Sequence, residues 1–383
     1  MNKKILFMLP ALLIGLAACS GQSDQAAVDE AASVGTLWLD WNGGPALDGK
    51  TYQIAYGNSL FGLNSYVTQS GSGKEVTIEW SSDTPDKVKL NDITRGNYAG
   101  RTKIGFKMGT AEGDEYTAVV TANLKCGNAT AAVSFSAEVG ISDIKETTIK
   151  DFKEGYKDAG YNTTLGEAVY TSADDVSMYG YITGSFEQND SHLYSGVWIQ
   201  AGEDAIQLYA AQLWNQWNSN GLAIGDFVHV VGFGSGYNGL LELKPTVVEV
   251  EVADPESLGV SAPSKISMDN GDNWNATWLL HKDSSLVEMN GLVYKSGEIG
   301  ANGKHWTLKF EATTTSTTKV EVTIYVNYHI GATAQDAIRA KLGTLVAGTT
   351  TIDIKGIISW YNAPQIVPVF LDGLSPADCI TVR

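Results

Sequence analysis

The order of predicted strands and helices after residue 141 occurs twice, and this repeat restricts the fold more than any other feature of the chain. Each copy has three strand-like segments, one helical segment and two further strand-like segments. Apolar residues at every second position indicate half-buried strands, whereas apolar residues three or four apart indicate a helix. The predicted strands are 178–186, 195–200, 205–210, 225–233 and 241–252 in the first copy and 287–297, 304–312, 319–328, 350–359 and 363–370 in the second, with helices at 211–219 and 334–346. We therefore expect the same small β-domain twice.

A Tyr-Asn turn occupies the same place in both copies, between the fourth and fifth strands. The first copy has "GSGYNGLLELKP" and the second "ISWYNAPQIVPV", so that Asn238 and Asn362 follow Tyr237 and Tyr361. Asparagine suits such turns because it tolerates positive φ. Pro245 cannot donate to a strand ladder, so its strand is expected to be an edge or to be bulged there. The turns are predicted to be equivalent corners of a duplicated domain.

Three strands, a helix and two strands is the order of the OB fold, a five-stranded Greek-key barrel. The segments "GYITG", "SGVWIQAGEDAIQLYA" and "LAIGDFVHVVGFGSGYNGLLEL" are also similar to the OB-like domains of secreted bacterial lipoproteins and extracellular nucleases. The second copy keeps "WYN" but lacks "WIQ" and "GD", so its assignment depends on the strand order. We expect OB-like domains at 141–252 and 285–383, joined by a linker at 253–284. The resemblance implies ligand binding on the face of strands two and three.

The N-terminus has the pattern of an export signal. Two lysines precede an apolar run over 5–18, which is too short to span a bilayer as a mature helix. The closing residues "LAAC" resemble the lipobox of bacterial lipoproteins, which implies removal of 1–18 and acylation of Cys19. Ser20 follows the cysteine and not aspartate, which points to the outer membrane or cell surface of a Gram-negative bacterium. The small, polar segment 19–35 is predicted to be a flexible tether.

The region 36–140 has the pattern of a small antiparallel sandwich. "VTIEW" alternates, and "YTAVVTANL" and "AAVSFSAEV" are β-rich segments joined by the turn "KCGNAT". These segments resemble the degenerate Ig-like domains of secreted bacterial surface proteins, which implies a spacer without chemistry. The predicted fold class is therefore all-β, with an N-terminal Ig-like sandwich followed by two OB-like five-stranded barrels and short helices.

Charge separates two classes of ligand for OB-like barrels, oligonucleotides and oligosaccharides. Binding of a phosphate backbone depends on lysine and arginine. The stretch 176–243 contains neither, and 141–252 has five lysines against sixteen acidic residues, a net of −11. The range 285–383 has eight basic and eight acidic residues. A glycan or protein ligand is therefore favoured, and single-stranded nucleic acid, or a role accessory to extracellular nucleic-acid processing, is kept as the alternative.

Aromatic side chains are the candidates for binding a neutral ligand, together with the turn asparagines. Strand alternation sends about half of the aromatics into the barrel cores. The core is the favoured place for Trp198 and Trp306, whereas the turn residues are expected to be exposed or to support the turn alone. The candidate ligand-binding residues are Tyr237, Asn238, Trp360, Tyr361, Asn362, Trp198 and Trp306.

No catalytic or metal-binding motif is present in the sequence. The five histidines are scattered without paired ligand spacing, and no nucleophile elbow or phosphate-binding loop occurs. "DNGDNW" lacks the alternation and terminal glutamate of a calcium loop. We therefore predict a protein that is not an enzyme and that needs no cofactor or metal. Cys126 and Cys379 could form one bridge, but two packed free thiols are favoured.

Overall fold

The computed structural model describes 13 segments of the chain. Residues 1–18, Cys19 and Asn362 lie outside these segments. The signal peptide, the lipidation of Cys19 and the binding role of Asn362 therefore remain predictions. In the part of the chain that is described, no helix is both long and apolar enough to cross a membrane. The described residues are 23–34, 37–39, 49–54, 60–63, 65–67, 73–96, 99–109, 112–142, 144–158, 170–251, 253–279, 282–361 and 363–383.

The chain forms two compact units. Unit 1 comprises Met1–Asp92 and Gly100–Ile141, and unit 2 comprises Ile93–Ala99 and Ser142–Arg383. Both OB-like domains therefore belong to one unit. Each unit holds one of the two cysteines left after Cys19, and both Cys126 and Cys379 are buried free thiols.

Unit 1 is built from two β-sheets. Their strands are β1 Leu37–Leu39, β2 Thr51–Ile54, β3 Leu60–Leu63, β4 Ser65–Val67, β5 Glu75–Ser82, β6 Val88–Ile93, β7 Arg101–Phe106, β8 Tyr116–Cys126 and β9 Ala129–Val139. The five-stranded sheet has the order β2-β9-β8-β5-β4 and the four-stranded sheet the order β1-β3-β7-β6. Val88 and Ile104 of the second sheet share one core with Val76, Val120 and Phe135 of the first, which is a sandwich arrangement. The specific kinship to Ig-like domains stays a prediction.

The predicted flexible tether is wrong for most of its length, because helix α1 spans Asp24–Val34. Ala27, Val28 and Ala31 lie on one face of this helix and are fully buried in the core of unit 1. The Ser23 hydroxyl accepts a hydrogen bond from the backbone N–H of Ala26, as an N-cap does. Small residues that look like a linker in the sequence are here the residues that let a helix approach a sheet closely.

The first part of unit 2 is a closed five-stranded barrel, as predicted. Its elements are β10 Lys145–Glu146, α2 Ile149–Asp158, β11 Tyr170–Ser185, a 3₁₀ turn Leu193–Ser195, β12 Val197–Ala201, β13 Asp204–Leu208, α3 Leu213–Ser219, β14 Phe227–Tyr237 and β15 Leu240–Val250. β11 pairs with β12 and β14, β12 with β13, and β14 with β15, all antiparallel. A short parallel contact between β13 and β15 closes the barrel. This neighbour order is that of the OB fold.

The second barrel repeats the same pairings. Its elements are a 3₁₀ turn Pro255–Leu258, β16 Ile266–Met268, α4 Ala276–Leu279, β17 Leu286–Gly297, β18 Trp306–Thr313, β19 Lys319–Val326, a 3₁₀ turn Tyr328–Ile330, α5 Ala332–Leu342, β20 Thr351–Trp360, β21 Pro364–Val367, β22 Phe370–Leu371 and β23 Ile380–Val382. β17 pairs with β18 and β20, β18 with β19, and β20 with β21, and β19 meets β21 in parallel. The prediction of two OB-like five-stranded barrels with short helices is confirmed.

The duplication extends to irregularities of the strands. The first strand of each barrel has a register shift at the same place, after Ile182 in one barrel and after Tyr294 in the other. The bulge predicted at Pro245 is also present, because the ladder between β14 and β15 shifts where Gly232 faces that proline. A Cβ atom on Gly232 would lie 2.7 Å from the Pro245 Cα, so only glycine fits there.

The predicted linker 253–284 is wrong in its second half, which belongs to the second barrel. β16 pairs in parallel with β17. Trp274 and Leu279 are buried in the core of the second barrel. The large apolar side chains of this segment give it a packed structure, although their spacing follows neither a strand nor a helix period.

The two barrels are joined by pairing, packing and charge. β22, which follows the last barrel strand, pairs with the end of β11 in the first barrel. Phe186, Trp198 and Leu240 of the first barrel belong to the core cluster of the second. The Lys153 Nζ lies 2.7 Å from the Asp283 Oδ1, and both side chains are more than nine-tenths buried. The barrels therefore have a defined relation to each other.

Candidate functional site

The face of strands two and three of the first barrel, where a ligand was expected, is covered by the second barrel. Trp198 and Gln207 are paired across β12 and β13, so they lie on the same outer face. Gln200, two residues further along β12, donates to the Ser264 carbonyl at 2.7 Å and accepts from the Leu286 backbone N–H at 3.0 Å. Trp198 and Gln200 are 1% and 0% exposed. This face is therefore an interface between the barrels.

The equivalent face of the second barrel carries charged side chains that are matched in pairs. Lys309 pairs with Thr323 as Trp198 does with Gln207, so the two positions are equivalent. Lys309 and Lys295 contact Glu321 at 2.7 and 2.9 Å. Hydrogen bonds from these two lysines lower the pKa of Glu321. The lysines of this face are thus neutralised by neighbouring carboxylates.

The two Tyr-Asn corners meet in space. The ring centroids of Tyr237 and Tyr361 are 6.4 Å apart, with an angle of 47° between the ring planes. The two side chains are 48% and 57% exposed, which confirms the expectation that these turn tyrosines are exposed. Asn238 has φ of 47°, the conformation for which asparagine suits the turn. Two corners far apart in the sequence therefore form one aromatic surface.

Further tyrosines surround this pair and complete a group that we term the tyrosine cluster. Burial, and then the neighbouring Tyr361, Tyr328 and Tyr237, raise the pKa of Tyr325 to about 12. Burial, followed by Glu242, Tyr237 and Tyr328, likewise raises the pKa of Tyr209. Tyr325 is therefore close to tyrosines of both barrels, as is Tyr209. The tyrosine cluster consists of Tyr194, Tyr209 and Tyr237 from the first barrel and Tyr325, Tyr328 and Tyr361 from the second.

A group of histidines borders the tyrosine cluster. The His192 Nδ1 and the Glu187 Oε2 are 2.6 Å apart, and the ring of His192 lies 5.5 Å from that of His329. His329 is 5% exposed and also contacts the ring of Tyr194 at 5.3 Å. Burial, and then His192 and His305, lower the pKa of His329 to about 4. His329 is therefore neutral at physiological pH, so its ring contributes no positive charge to the border of the tyrosine cluster.

Glu242 and Gln365 occupy equivalent positions beside the tyrosines. Glu242 is paired with Gln207 on one side and Ser235 on the other, and Gln365 with Thr323 and Ser359. The two side chains are 6% and 9% exposed. Neither side chain forms a hydrogen bond with another described residue, and neither has a polar atom among the fully buried, unpartnered ones, so both head groups reach solvent. Burial raises the pKa of Glu242 to about 7, and Lys244 opposes this only in part.

The three tryptophans among the predicted ligand-binding residues are buried. Trp198, Trp306 and Trp360 are 1%, 2% and 5% exposed. The core position favoured for Trp198 and Trp306 is correct, and neither indole offers a face to a ligand. The exposure expected for Trp360 is wrong, because it is the last residue of β20 and its side chain joins the core of the second barrel. Of the predicted residues in the described chain, Tyr237, Asn238 and Tyr361 remain at the surface.

The sequence contains a second repeat that marks two of the tyrosines we did not predict. Tyr209 ends the segment "IQLY" and Tyr325 ends the segment "VTIY", each at the close of the third strand of its barrel. When the two copies are aligned at their third strands, Tyr209 and Tyr325 fall at the same position. Glu242 and Gln365 carry no comparable signal, since a polar residue inside an alternating strand normally faces solvent.

The site holds no arrangement suited to a metal. Within the described residues, no three histidine, cysteine, aspartate or glutamate side chains are placed to hold an ion. What the tyrosine cluster can do chemically is to stack on a ligand through its rings and to hydrogen-bond through hydroxyls, Glu242 and Gln365.

Comparisons with known proteins add no family. No protein-family model matches the chain, and no curated protein sequence does. Among solved structures, the chain is similar to a variant of an endo-fucoidan hydrolase from glycoside hydrolase family 107, with 11% sequence identity and a TM-score of 0.18. The alignment covers 76% of this chain and 44% of that enzyme's chain. A TM-score of this size describes no common fold, so this likeness carries no argument.

Proposed function

We propose that this protein is a non-catalytic, membrane-anchored lipoprotein that binds a glycan at the tyrosine cluster. The observation that carries the proposal is the meeting of Tyr237 and Tyr361, two half-exposed rings from equivalent corners, 6.4 Å apart. Tyrosine combines an apolar ring, which covers the C–H faces of a sugar, with a hydroxyl that hydrogen-bonds to sugar hydroxyls. Binding sites for small ligands are lined mainly by apolar and aromatic side chains with a few well-placed polar groups, which the tyrosines with Glu242 and Gln365 resemble.

Charge supports a neutral ligand over single-stranded nucleic acid. Bases could stack on the tyrosines, but tracking a phosphate backbone requires a positively charged groove. The net charge of 141–252 is −11, and the lysines on the open face of the second barrel are paired with Glu311 or Glu321. A polyanion would therefore meet repulsion at the first barrel and neutralised lysines at the second.

The residues at one equivalent position of the two barrels, Glu242 and Gln365, support a binding role without hydrolysis. Hydrolysis of a glycosidic bond usually employs two carboxyl groups flanking the bond, about 5–10 Å apart. The first barrel supplies Glu242 to the tyrosine cluster, and the second barrel supplies Gln365, an amide, at the equivalent place. Glu242 thus lacks a carboxyl partner at the position that the duplication would provide.

A glycan array followed by isothermal titration calorimetry tests the proposal. We expect Tyr237→Ala and Tyr361→Ala each to raise the Kd of the bound glycan by about tenfold or more, equal to about 1.4 kcal/mol. Val346→Ala is the matched control, because Val346 is also an exposed side chain of the second barrel, 50% exposed, but lies outside the tyrosine cluster. Tight binding of single-stranded DNA that weakens steeply with salt, without a glycan signal, would overturn the proposal in favour of nucleic acid. Capture of a protein ligand that is insensitive to both tyrosine changes would also overturn it.

The proposed anchor is the lipid on Cys19, at the outer membrane or cell surface of a Gram-negative bacterium. Several acyl chains on one residue give stable attachment, whereas one chain is marginal. Metabolic labelling with an alkyne fatty acid should mark the protein and should be lost in Cys19→Ser. Labelling that persists in this variant would contradict the anchor and leave the glycan-binding proposal untouched.

A further inference from the structure

The tyrosine cluster contains the same set of residues twice, once from each barrel. Pairing with equivalent strands relates Tyr209 to Tyr325, Ser235 to Ser359, Tyr237 to Tyr361 and Glu242 to Gln365. We call each set a half-site. The first half-site is Tyr209, Ser235, Tyr237 and Glu242, and the second is Tyr325, Ser359, Tyr361 and Gln365.

The half-sites are adjacent to each other. The rings of Tyr237 and Tyr361 are 6.4 Å apart, and Tyr325 of the second half-site lies close enough to Tyr237 of the first for its pKa to respond. β22 and the buried Lys153–Asp283 pair hold the two barrels together. A ligand on one half-site is therefore next to the other half-site.

The polar side chains beside the tyrosines point to a ligand independently of the rings. Glu242 and Gln365 are 6% and 9% exposed, and neither forms a hydrogen bond with another described residue. Neither has a polar atom among the fully buried, unpartnered ones of the described chain, so both head groups are open to a hydrogen-bonding partner. The neighbouring Gln207, by contrast, donates to the Ser195 carbonyl at 2.9 Å.

From this duplication we infer that the ligand is a saccharide chain with a repeating unit, two successive units of which occupy the two half-sites. Tyr237 and Tyr361 stack on one unit each, and Glu242 and Gln365 hydrogen-bond to equivalent hydroxyl groups of the two units. This inference rests on the proposed glycan-binding function and adds the repeating character of the ligand. A carboxyl and an amide are similar in shape, so the half-sites accept the same unit with different hydrogen-bonding.

Calorimetric titration with graded oligosaccharides tests the inference on the full mature chain. The probes are cello-, chito-, manno- and xylo-oligosaccharides of increasing length, starting from the monosaccharide. We expect the affinity to rise at least about tenfold at the first length that spans both half-sites and then to level off. Tyr237→Ala and Tyr361→Ala should each remove this gain, so that the spanning oligosaccharide binds no more tightly than a shorter one. Glu242→Ala and Gln365→Ala should each weaken the spanning oligosaccharide severalfold, and Glu242→Gln should retain the gain with length.

Failure of this inference can be distinguished from failure of the proposed function. If oligosaccharides bind but their affinity does not depend on length, or if only one tyrosine change affects the spanning length, the inference is wrong and the glycan-binding proposal stands. If no length of any series binds, the proposed function fails and the inference fails with it. A thermal melt of each variant, compared with that of Val346→Ala, shows whether a loss of binding comes from unfolding, and Glu242→Gln tests the same position without removing volume.

Discussion

The two barrels of unit 2 share strand order, register and the irregularity in their first strand, yet the face of strands two and three is covered in one and open in the other. Trp198 occupies this face in the first barrel and is 1% exposed under the second barrel. Lys309 holds the equivalent position in the second barrel, where it pairs with Glu321. One backbone therefore supports an interface or an open surface, and the side chains decide which of the two is formed.

A second difference concerns the residues beside the tyrosines. The first barrel buries a carboxyl at Glu242, where the second buries the amide of Gln365. Burial of a carboxyl raises its pKa because the charged form loses hydration, whereas an amide has no charge to lose. Glu242 of the first half-site thus titrates near neutrality, whereas Gln365 of the second carries no ionisable group.

The largest expected effect is the loss of the interface residue. Trp198→Ala should lower the free energy of unfolding of unit 2 by about 3–5 kcal/mol, because a large buried side chain is replaced by a cavity between the barrels. Lys309→Ala, at the equivalent position, should change it by less than about 1 kcal/mol, as is usual for exposed ion pairs. Urea denaturation followed by tryptophan fluorescence measures both. Similar losses for the two variants would show that the covered and open faces do not differ as described.

The next effect is the pH dependence caused by Glu242. Its pKa is about 7 in the folded chain, against an ordinary value of 4.5. The folded state therefore holds the proton more tightly than the unfolded state. The contribution of Glu242 to stability is then expected to fall by about 3 kcal/mol as pH rises from 4.5 to about 7. His329, whose pKa is lowered to about 4, acts in the opposite direction over much of this range, so the contribution of Glu242 is obtained from the difference between the wild type and a variant at this position.

Glu242→Gln should remove this decline and should be more stable than the wild type at about pH 8, by about 2–3 kcal/mol. Gln365→Glu should introduce a similar decline into the second barrel, since it places a carboxyl at the equivalent buried position. The measurement is the urea midpoint at about pH 5 and about pH 8. A difference in urea midpoint between these two pH values that is the same in Glu242→Gln as in the wild type would show that Glu242 does not contribute to the pH dependence.

Much of the fold could be predicted from local pattern. Strand alternation, the helical segments and the position of Pro245 depend on neighbouring residues, and the structure confirms two five-stranded barrels with a bulge at that proline. The repeated Tyr-Asn corner also indicated duplication correctly. The errors at α1 and β16 concern small or irregularly spaced residues, which pack against partners that no local pattern specifies.

The candidate site was predictable only in part. Tyr237, Asn238 and Tyr361 were expected at exposed turns because turns lie at the surface. Trp360 was misplaced by one step of strand alternation, since it ends β20 and points inward. Tyr328 and His329 could not be found in this way, because their importance arises from contacts with His192 and Tyr194 of the other barrel. Glu242 could not be found either, because a polar residue in an alternating strand normally faces solvent.

By itself, the sequence determined the class of the fold, the duplication of the barrel and the charge balance that disfavours a polyanion. These properties follow from composition and from the period of apolar residues along the chain. Only the tertiary structure decided that the first barrel's predicted binding face is an interface, that the two corners meet, and that Glu242 is buried with a raised pKa. The physical reason is that the first two features depend on contacts between residues of different barrels and the third on burial in the folded chain, and no local period in a sequence encodes either.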